Sequence, residues 1–489
     1  TGEFLKQNKI KYTEISEVTG NPEAFGGRMK TISFAIESAL LFDREKDKNE
    51  AEKLGIKPID LVICNLYNFK KALEEGLEPE KLVDQIDIGG PTMIRAGAKN
   101  YKYVAVVTSE NDYNDICEEL EKNSGALCLE THKKLSAAAF NLSADYDSLI
   151  ATSLDKLNEE NSYRIAFKGG QNLKYGENSH QQAMVFKERN ADNSFLDIES
   201  LNDVPLSYNN MLDINAAIET VTRLNRKAAV VIKHNNPCGS AESENQKESI
   251  ELAWSGDPVS AFGGIVGFNS EVQIETVKFF GFDDPDKSKV KFIEIIIAPS
   301  YSEEALNYLS AKKNLRIIKY NPEMSLPSKD LRYLNGLLLV QEKDNLLYEK
   351  LDCVTDSKID IESNKNLIDF GLNIISQIKS NAIAIAAKMG SSIFLTGMGA
   401  GQPNRLNSIA LALERDQKYR QNHTGSDLTN TILFSDAFFP FEDNIELINK
   451  SGIKTIVQPG GSIRDKKVIS KCNEFGITMV LTGIRHFKH

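Results

Sequence analysis

The sequence predicts an α/β protein of two or three domains, and three observations carry that prediction. Short apolar runs rich in β-branched residues recur along the chain: IDLVICNLYNF (59–69), YVAVVTS (103–109), AAVVI (228–232) and KFIEIIIAP (291–299). Each has the length and composition of a buried strand. In the first segment helical stretches alternate with them, including the alanine-rich 131–150, and strand–helix alternation there is the pattern of a parallel α/β domain. Finally, 489 residues are too many for one hydrophobic core.

Composition narrows the function classes. With 41% hydrophobic and 26% charged residues the chain reads as an ordinary globular protein. A net charge of −11 and a pI near 5.3 argue against a general nucleic-acid or membrane-surface binder, while leaving room for a local basic pocket. No apolar run approaches the roughly 18 residues that cross a bilayer. The first residues do not have the pattern of a secretory signal. The six cysteines, Cys64, Cys117, Cys128, Cys238, Cys353 and Cys472, are scattered without a CxxC pair. Free thiols in a reducing cytoplasm, without structural zinc, are expected.

In chain order, the first segment opens on a helical fragment, GEFLKQNKI, and then GGRMKT (26–31), a glycine turn whose Arg28 and Lys30 suit an anion. The run at 59–69 ends in Asn65 and Tyr67. DIGGPTMIRAGAKN (87–100) follows, with Gly89-Gly90-Pro91-Thr92 turning into a helix. Such a helix start is a ready anion site. Arg95 and Lys99 lie four apart on one helix face. Asp87, Tyr67 and a lysine near that helix start form a candidate acid–base site; a plain charged helix explains the same residues. The polar stretch LDKLNEENSY marks the linker, which sets domains at 1–158 and 159–489.

The second segment centres on AAVVIKHNNPCG. A buried strand ends in Lys233-His234 and is stopped by Asn235-Asn236-Pro237. Open α/β sheets put ligand crevices at such strand ends. An ammonium beside an imidazole disfavours the imidazolium, so His234 suits a base. LKYGENSHQQAMVF (173–186) gathers Lys174, Tyr175, Asn178, His180 and Gln182 into a candidate binding loop. LSYNNMLDINAA (206–217) enters a helix with its cap near Asp213. Trp254 is expected in the core. Glu294 lies on an edge or at a site, and Asn381 heads an apolar run. SSIFLTGMGAGQPNRL imitates a dinucleotide fingerprint, but Gln402 replaces its third glycine; a backbone-amide anion loop is expected instead. The last residues hold Arg485, His486 and Phe487, which suggests a tail packed into a site.

Taken together, NLYNF, DIGGPTMIRAGAKN, LKYGEN, LSYNN, KHNNPCG, SAFGG, KSNAIA, GAGQ, SDAFFPF, QPGGSIRD and RHFKH occur in the order found in one bifunctional purine-biosynthesis family. The chain resembles, over essentially its whole length, phosphoribosylaminoimidazolecarboxamide (AICAR) formyltransferase joined to IMP cyclohydrolase. The resemblance implies an N-terminal α/β domain like methylglyoxal synthase. It further implies a formyltransferase region of two cytidine-deaminase-like α/β subdomains, in a cytoplasmic homodimer with shared sites. The implied co-substrate is 10-formyltetrahydrofolate; the implied small molecules are AICAR, FAICAR and IMP. A structural potassium ion is compatible with it, and neither nucleic acid nor membrane is a partner.

Residue by residue, His234 matches the base that deprotonates the AICAR amine, Lys233 a group supporting developing charge, and Asn381 a polar contact at the reacting groups. Lys174, Tyr175, Gly263, Glu294, Arg405 and Arg485 match AICAR-binding positions; Leu406, Phe438, Asp443, Ser462 and Ile463 match folate-binding ones. In the first domain Arg28, Lys30, Thr31, Cys64, Asn65, Asp87 and Ile88 match nucleotide-binding positions, Lys30 and Asp87 counting also as catalytic. Lys99 matches the proton donor–acceptor of ring closure, with Tyr67 a neighbouring candidate.

Three departures stand out. The family's first strand and Ser-Gly-Gly phosphate loop do not precede Thr1, ISFAIESA (32–39) replaces a stretch rich in His, Pro and Gly, and Lys174 replaces Arg. The first two touch the cyclohydrolase half, so an alternative reading keeps formyl transfer and impairs ring closure. A zinc nucleobase deaminase is disfavoured, since Pro237-Cys238 lacks the second cysteine of its signature. A non-enzymatic nucleotide-binding regulator would not need His234.

Overall fold

The computed structural model of the chain describes residues 2–22, 24–25, 29–189, 198–324, 327–425 and 428–489. Contacts divide it into two units, Thr1–Ala166 and Phe167–His489. Arg28 and the glycines beside it lie outside the described residues, as does Thr1.

In the first unit two parallel strands, β1 (Leu61–Ile63) and β2 (Ala105–Val107), pair in the register Val62↔Val106. Strand β2 is buried throughout, but β1 buries only Val62 and leaves Ile63 58% exposed. The run at 59–69 is therefore a short, half-covered strand rather than the buried one expected. Its apolar letters continue into a loop and the short helix Phe69–Glu74, whose Phe69 is buried. The helix Gly89–Lys99 packs on the pair through Gly97, where a Cβ would lie 2.7 Å from Val106 Cγ2. A 29-residue helix, Leu129–Leu157, buries Leu135, Ala139, Ser143, Tyr146, Ile150 and Ser153 at three- and four-residue steps. It takes up the beginning of the polar stretch read as a linker.

The second unit begins with a hairpin, β3 (Phe167–Asn172) and β4 (Met184–Glu188). Strands follow at β5 (Glu199–Ser200), β6 (Lys227–Lys233), β7 (Asn236–Ser243), β8 (Gly264–Phe268), β9 (Ile293–Ala298) and β10 (Arg316–Lys319). An exposed hairpin comes next, β11 (Lys329–Leu334) and β12 (Leu337–Glu342). The remainder are β13 (Asp352–Cys353), β14 (Ile383–Met389), β15 (Ser392–Gly399), β16 (Leu428–Ser435), β17 (Thr455–Gln458) and β18 (Thr478–Leu481).

Twelve of these strands form one sheet, ordered β13-β18-β17-β16-β14-β15-β7-β6-β8-β9-β10-β5. The order reads as a duplication. Each half has an antiparallel central hairpin (β6–β7 or β14–β15), a third strand antiparallel to it (β8 or β16), and two more in parallel (β9–β10 or β17–β18). Helices Tyr208–Val221 and Ile361–Ile375 precede the hairpins, and Gln246–Gly256 and Arg405–Asn422 follow them. The halves join where β15 pairs antiparallel with β7, Ile393 opposite Glu242 and Phe394 opposite Ala241. The centre of this sheet is thus antiparallel, whereas in the first unit, where strand–helix alternation predicts a parallel domain, β1 and β2 run parallel.

Core packing explains the patterning. Strands β6, β7, β14 and β15 are covered on both faces, so they read as continuous apolar or small-residue runs. Trp254 lies in this core, edge-on to Phe279 and Phe280. Both halves use glycine to bring the following helix onto the hairpin: a Cβ on Gly239 would sit 1.9 Å from the Ala253 carbonyl oxygen, and one on Gly399 2.0 Å from that of Ser408. Because the obstacle is helix backbone, Gly239→Ala should overpack the core and cost about 3 kcal/mol. A urea midpoint within error of the parent's would show that the helix can yield.

Candidate active site

The registers determine which loops meet in the second unit. Strand β6 ends at Lys233, and a two-residue turn, His234-Asn235, leads into β7. Carrying the β7–β15 pairing along the strands brings the start of β7 level with the end of β15, and Gly399 there pairs with Ile383 at the start of β14. Ile383 in turn pairs with Ser435 at the end of β16, and β17 and β18 run parallel to β16. One edge of the sheet therefore gathers the 234–236 turn, Asn381, and the loops after β16, β17 and β18. Those loops carry Phe438 and Asp443, Ser462 and Ile463, and Arg485. The β8 and β9 starts, with Gly263 and Glu294, reach the same edge because β8 is antiparallel to β6.

His234 and Asn235 both adopt left-handed backbone, φ 52° and 62°. Such angles are uncommon outside glycine and persist where surroundings impose them. Here the Asn235 N–H donates to Asp213 Oδ1 at 2.7 Å, and Asn236 Nδ2 donates to the His234 carbonyl at 2.9 Å. Asp213 is therefore no helix cap. Ser207 caps that helix in a capping box with Asn210, and Asp213 projects from its second turn to hold the histidine turn. Burial raises the Asp213 carboxyl above its usual range, Glu294 adding to the effect while the Asn235 N–H and the charges of His234 and Lys233 oppose it. The Lys233 ammonium donates to the carbonyls of Gly263 (2.7 Å) and Phe262 (3.3 Å). Among the described residues no carboxylate pairs with it, so its charge stays uncancelled. Gly263, at φ 68°, leaves room for it: a Cβ there would lie 3.2 Å from Lys233 Nζ.

Lys174 and Tyr175 are docked at the start of the helix that carries Asp213. The Lys174 N–H donates to the Leu206 carbonyl (2.8 Å) and the Tyr208 N–H to the Tyr175 carbonyl (3.0 Å), joining LKYGEN to LSYNN. Asn210 Nδ2 reaches Glu294 Oε2 at 3.5 Å. Glu294 sits in an interior strand, so the edge alternative drops out. Of the candidate loop, Lys174 stays exposed, while Gln181 stitches its tip through Gly176 and Asn178.

The Lys379 N–H donates to Asn236 Oδ1 at 3.2 Å and links the histidine turn to 379–381. Asn381 is held from all sides. Its N–H and Nδ2 donate to the Gln402 carbonyl (3.1 and 2.8 Å), Arg405 Nη2 donates to its Oδ1 (2.8 Å), and Ser408 Oγ donates to its carbonyl (2.8 Å). Arg405, 8% exposed, is ion-paired with the buried Asp436 and also donates to Ser435 Oγ. Asp436 further accepts from Ser380 Oγ and from the Ala382 N–H. In the GAGQ loop, read as a backbone-amide anion loop, the Gly401 N–H is already bonded to the Lys379 carbonyl, and the Gln402 carbonyl is taken by Asn381.

A cavity of about 560 Å³ opens at this point, and its walls include Asn381, Arg405, Leu406, Phe438, Asp443 and Arg485. Six positions spread over a hundred residues of sequence thus meet at one hollow. Ser462 and Ile463 follow β17 on the same edge but do not line it; Ile463 is 104% exposed. The sequence reading missed Asp213, Asn210, Ser380 and Asp436, all of which hold site residues in place. Their motifs were visible, but nothing in a string of letters says that an aspartate faces inward.

The first unit gathers a second group. Asp87 Oδ1 accepts the Gly90 N–H at 2.8 Å, so the chain's own carboxylate partly fills the helix start read as an open anion site. A Cβ on Gly89 would lie 2.7 Å from Thr31 Oγ1, and one on Gly90 2.6 Å from Asp87 Oδ2. Only glycine lets Thr31 and Asp87 close on this turn. Tyr146 Oη accepts the Asp87 N–H at 2.8 Å, and burial raises its phenol, the charges of Asp87 and Tyr67 adding to this. Cys64 is close to Asp87, Asn65 Nδ2 reaches Glu110 at 3.5 Å, and Tyr67, Ile88 and Lys30 are exposed. Lys99 is not brought to this group. It ends the helix that Gly89 begins, about 15 Å away along the axis at 1.5 Å per residue.

Both groups sit in a chain that two family descriptions match in tandem: "MGS-like domain" over residues 1–92 and "AICARFT/IMPCHase bienzyme" over 97–415. The class is thus a bienzyme with a methylglyoxal-synthase-like domain ahead of a formyltransferase region. Two relatives, each called bifunctional purine biosynthesis protein PurH, are 40% identical over all of this chain. They come from Aquifex aeolicus and Persephonella marina, with 94% and 93% of their own lengths covered. The protein of the same name from Clostridium botulinum strain Hall is 42% identical, with 93% covered. The chain belongs to the AICARFT/IMPCHase bienzyme family. Relatives matched over nearly their whole length carry the bifunctional name, and nothing in them supports the reading in which only formyl transfer survives.

Burial, then the Asp87 charge, raise the Cys64 thiol above its usual range. Its thiolate is correspondingly scarce. Iodoacetamide should alkylate it more slowly than the exposed Cys117, and Asp87→Asn should speed its reaction alone, read by peptide mass spectrometry. Insensitivity of Cys64 to that substitution would remove the proposed proximity of thiol and carboxylate charge.

Proposed function

We propose that the sheet edge of the second unit carries formyl transfer and the Asp87 turn of the first carries ring closure. The enzyme acts in purine biosynthesis. It transfers the formyl group of 10-formyltetrahydrofolate to AICAR, giving FAICAR, and then closes FAICAR to IMP with loss of water. The domain limits 1–158 and 159–489 belong to this reading. The observation that carries it is the meeting of Asn381, Arg405, Leu406, Phe438, Asp443 and Arg485 at one cavity beside the His234 turn.

The AICAR amine is conjugated with its ring and is a poor nucleophile. His234 takes its proton as nitrogen attacks the formyl carbon, a task for a positioned base. Arg405 has only donors, so it forces Asn381 to turn its oxygen inward, and Gln402 takes one amide hydrogen. What Asn381 has left to offer is one N–H, the polarity needed for the oxygen that becomes anionic during attack. The uncancelled charge of Lys233 acts in the same sense. Lys174, Tyr175, Glu294 and Arg485 hold AICAR, with Gly263 making room. Leu406, Phe438 and Asp443 receive the folate, with Ser462 and Ile463 on the neighbouring loop. Arg405 serves by orienting Asn381 rather than by gripping phosphate with a free fork.

In ring closure the carboxamide nitrogen of FAICAR attacks its own formyl carbon, and the task is chiefly to hold the two together. Thr31, Lys30, Asn65, Cys64 and Ile88 border the group that would bind the nucleotide, with Arg28 as a further contact. Asp87 and Tyr67 are its acid–base candidates. Lys99 acts there only if substrate or a second subunit reaches the other end of its helix.

A homodimer is part of the proposal. Tyr333, Leu334, Leu337 and Leu339 stand exposed on β11–β12, Tyr333 by 76%. A two-stranded hairpin with bare apolar faces is marginal in water. Resident zinc is not proposed: the Cys238 thiol is buried, donates to the Val231 carbonyl, and is pushed up to about 12, chiefly by burial. A structural potassium ion stays compatible with the reading. No helix among the described residues is long and apolar enough to cross a membrane, and a cytoplasmic setting suits both substrates.

Formyl transfer to AICAR and cyclisation of supplied FAICAR, assayed separately, test both halves. Both should proceed; failure of ring closure alone would confine the activity to the second unit. His234→Ala should cost ~10²–10⁴-fold in formyl-transfer kcat while AICAR still binds and ring closure is untouched. Near-parental turnover would take the base role from His234.

A further inference from the structure

Residues 484–489 belong to no helix or strand, and the exposure of their side chains alternates. Arg485 and Phe487 are exposed and line the cavity just described together with a second one of about 840 Å³, walled by Arg223, Arg332, Gln377 and Lys488 among others. His486 and Lys488 turn inward. The Arg485 guanidinium lies over the Phe487 ring at 4.4 Å, and no carboxylate among the described residues pairs with it. Its position therefore depends on how its backbone is held.

His486 holds that backbone at three points. Its N–H donates to the Asp436 carbonyl at 2.9 Å. Its ring, 2% exposed, meets Asp344 Oδ2 through Nδ1 at 2.7 Å and the Leu347 carbonyl through Nε2 at 3.0 Å. A carboxylate and a carbonyl only accept, so the ring satisfies both when each nitrogen carries a hydrogen. Asp344 is steadied in turn: Arg223 Nη2 donates to its carbonyl at 3.2 Å and to Asn345 Oδ1 at 3.1 Å. Lys488 pins the next inward position through Gln377 Oε1 (2.9 Å) and by exchange with Ser380.

We propose that His486, clamped between Asp344 and the Leu347 carbonyl, is a positioning residue for formyl transfer that sets Arg485 at the mouth of the cavity. The inference rests on the reading of Arg485 as an AICAR contact. A charge-assisted partner for phosphate works only if its fork is aimed beforehand. The clamp does this from behind, without touching substrate. It also extends the site to a loop, 344–347, that lies more than thirty residues from any AICAR position named above.

Asp344 offers the cleaner handle, because its side chain is 40% exposed and its removal leaves the core intact. Asp344→Ala should raise KM for AICAR roughly tenfold, the order expected for a lost charged hydrogen bond, with kcat within about twofold. Asp344→Asn keeps an acceptor and should recover most of the loss. His486→Ala, if folded by thermal melt, should match Asp344→Ala. Arg485→Ala is run alongside. If it leaves KM unchanged, the reading of Arg485 fails. If it raises KM while Asp344→Ala does not, the clamp fails and that reading stands. In Arg485→Ala/Asp344→Ala the second substitution should add nothing; additive effects would show that Asp344 acts elsewhere and overturn the proposal.

Discussion

The second unit depends on the pairing of β7 with β15. Only two residue pairs make this seam, yet it turns two separate hairpin-centred sheets into one. Because the pairing is antiparallel, it aligns the turn of one hairpin with the open end of the other. The His234 turn from the first half and the Asn381 loop from the second reach the same edge for that reason alone. A parallel join, or a slip of one residue, would separate them or turn every side chain of the strand to the other face. Glycines 239 and 399 serve the same end, since helix backbone rests almost directly on the strands beside the seam.

Around that edge, carboxylates act mostly on the protein itself. Asp213 holds the backbone of the histidine turn, Asp436 holds Arg405 and the start of β14, and Asp87 closes the first turn of its helix. Each is buried or half-buried, and backbone or guanidinium donors offset part of its desolvation. The reacting side chains are then held by groups that take no part in the reaction, even where, as at His234, the backbone is left-handed. Preorganisation of this kind is what lets a neutral amide such as Asn381 present a single, predetermined hydrogen.

How much of this could be read from the letters differs from element to element. The strand ending in Lys233-His234 was legible because a β-branched run stops abruptly at polar residues and Asn-Pro. Trp254 was legible by size and isolation. The antiparallel centre was not: alternation of strand and helix looks the same whichever way neighbouring strands run. The helix containing Asp213 was given a late cap, because Ser207 and Asp213 are both good cap residues and only tertiary contact decides between them. The fingerprint-like GAGQ loop looked like an anion cradle, since periodicity cannot reveal that its Gly401 amide and Gln402 carbonyl are already used. Lys99 shows the converse limit. A motif lists it beside Asp87, and helical rise sets its backbone about 15 Å along the axis from the helix start.

A duplicated sheet with an antiparallel seam has a second edge built to the same plan. There the turn between β14 and β15, with Gly390 at φ 58°, faces the beginning of β6. Where the first edge has an asparagine receiving the Lys379 amide, this one has Arg226 reaching across to the Ser391 carbonyl at 2.6 Å and pairing with Glu242. A glycine stands near the place taken by the histidine, and an ion pair seals what is open on the other side. The backbone is close to symmetric and the chemistry is not. Both duplicates supply the working edge, while the opposite edge, also shared by both, is bolted shut by a salt link.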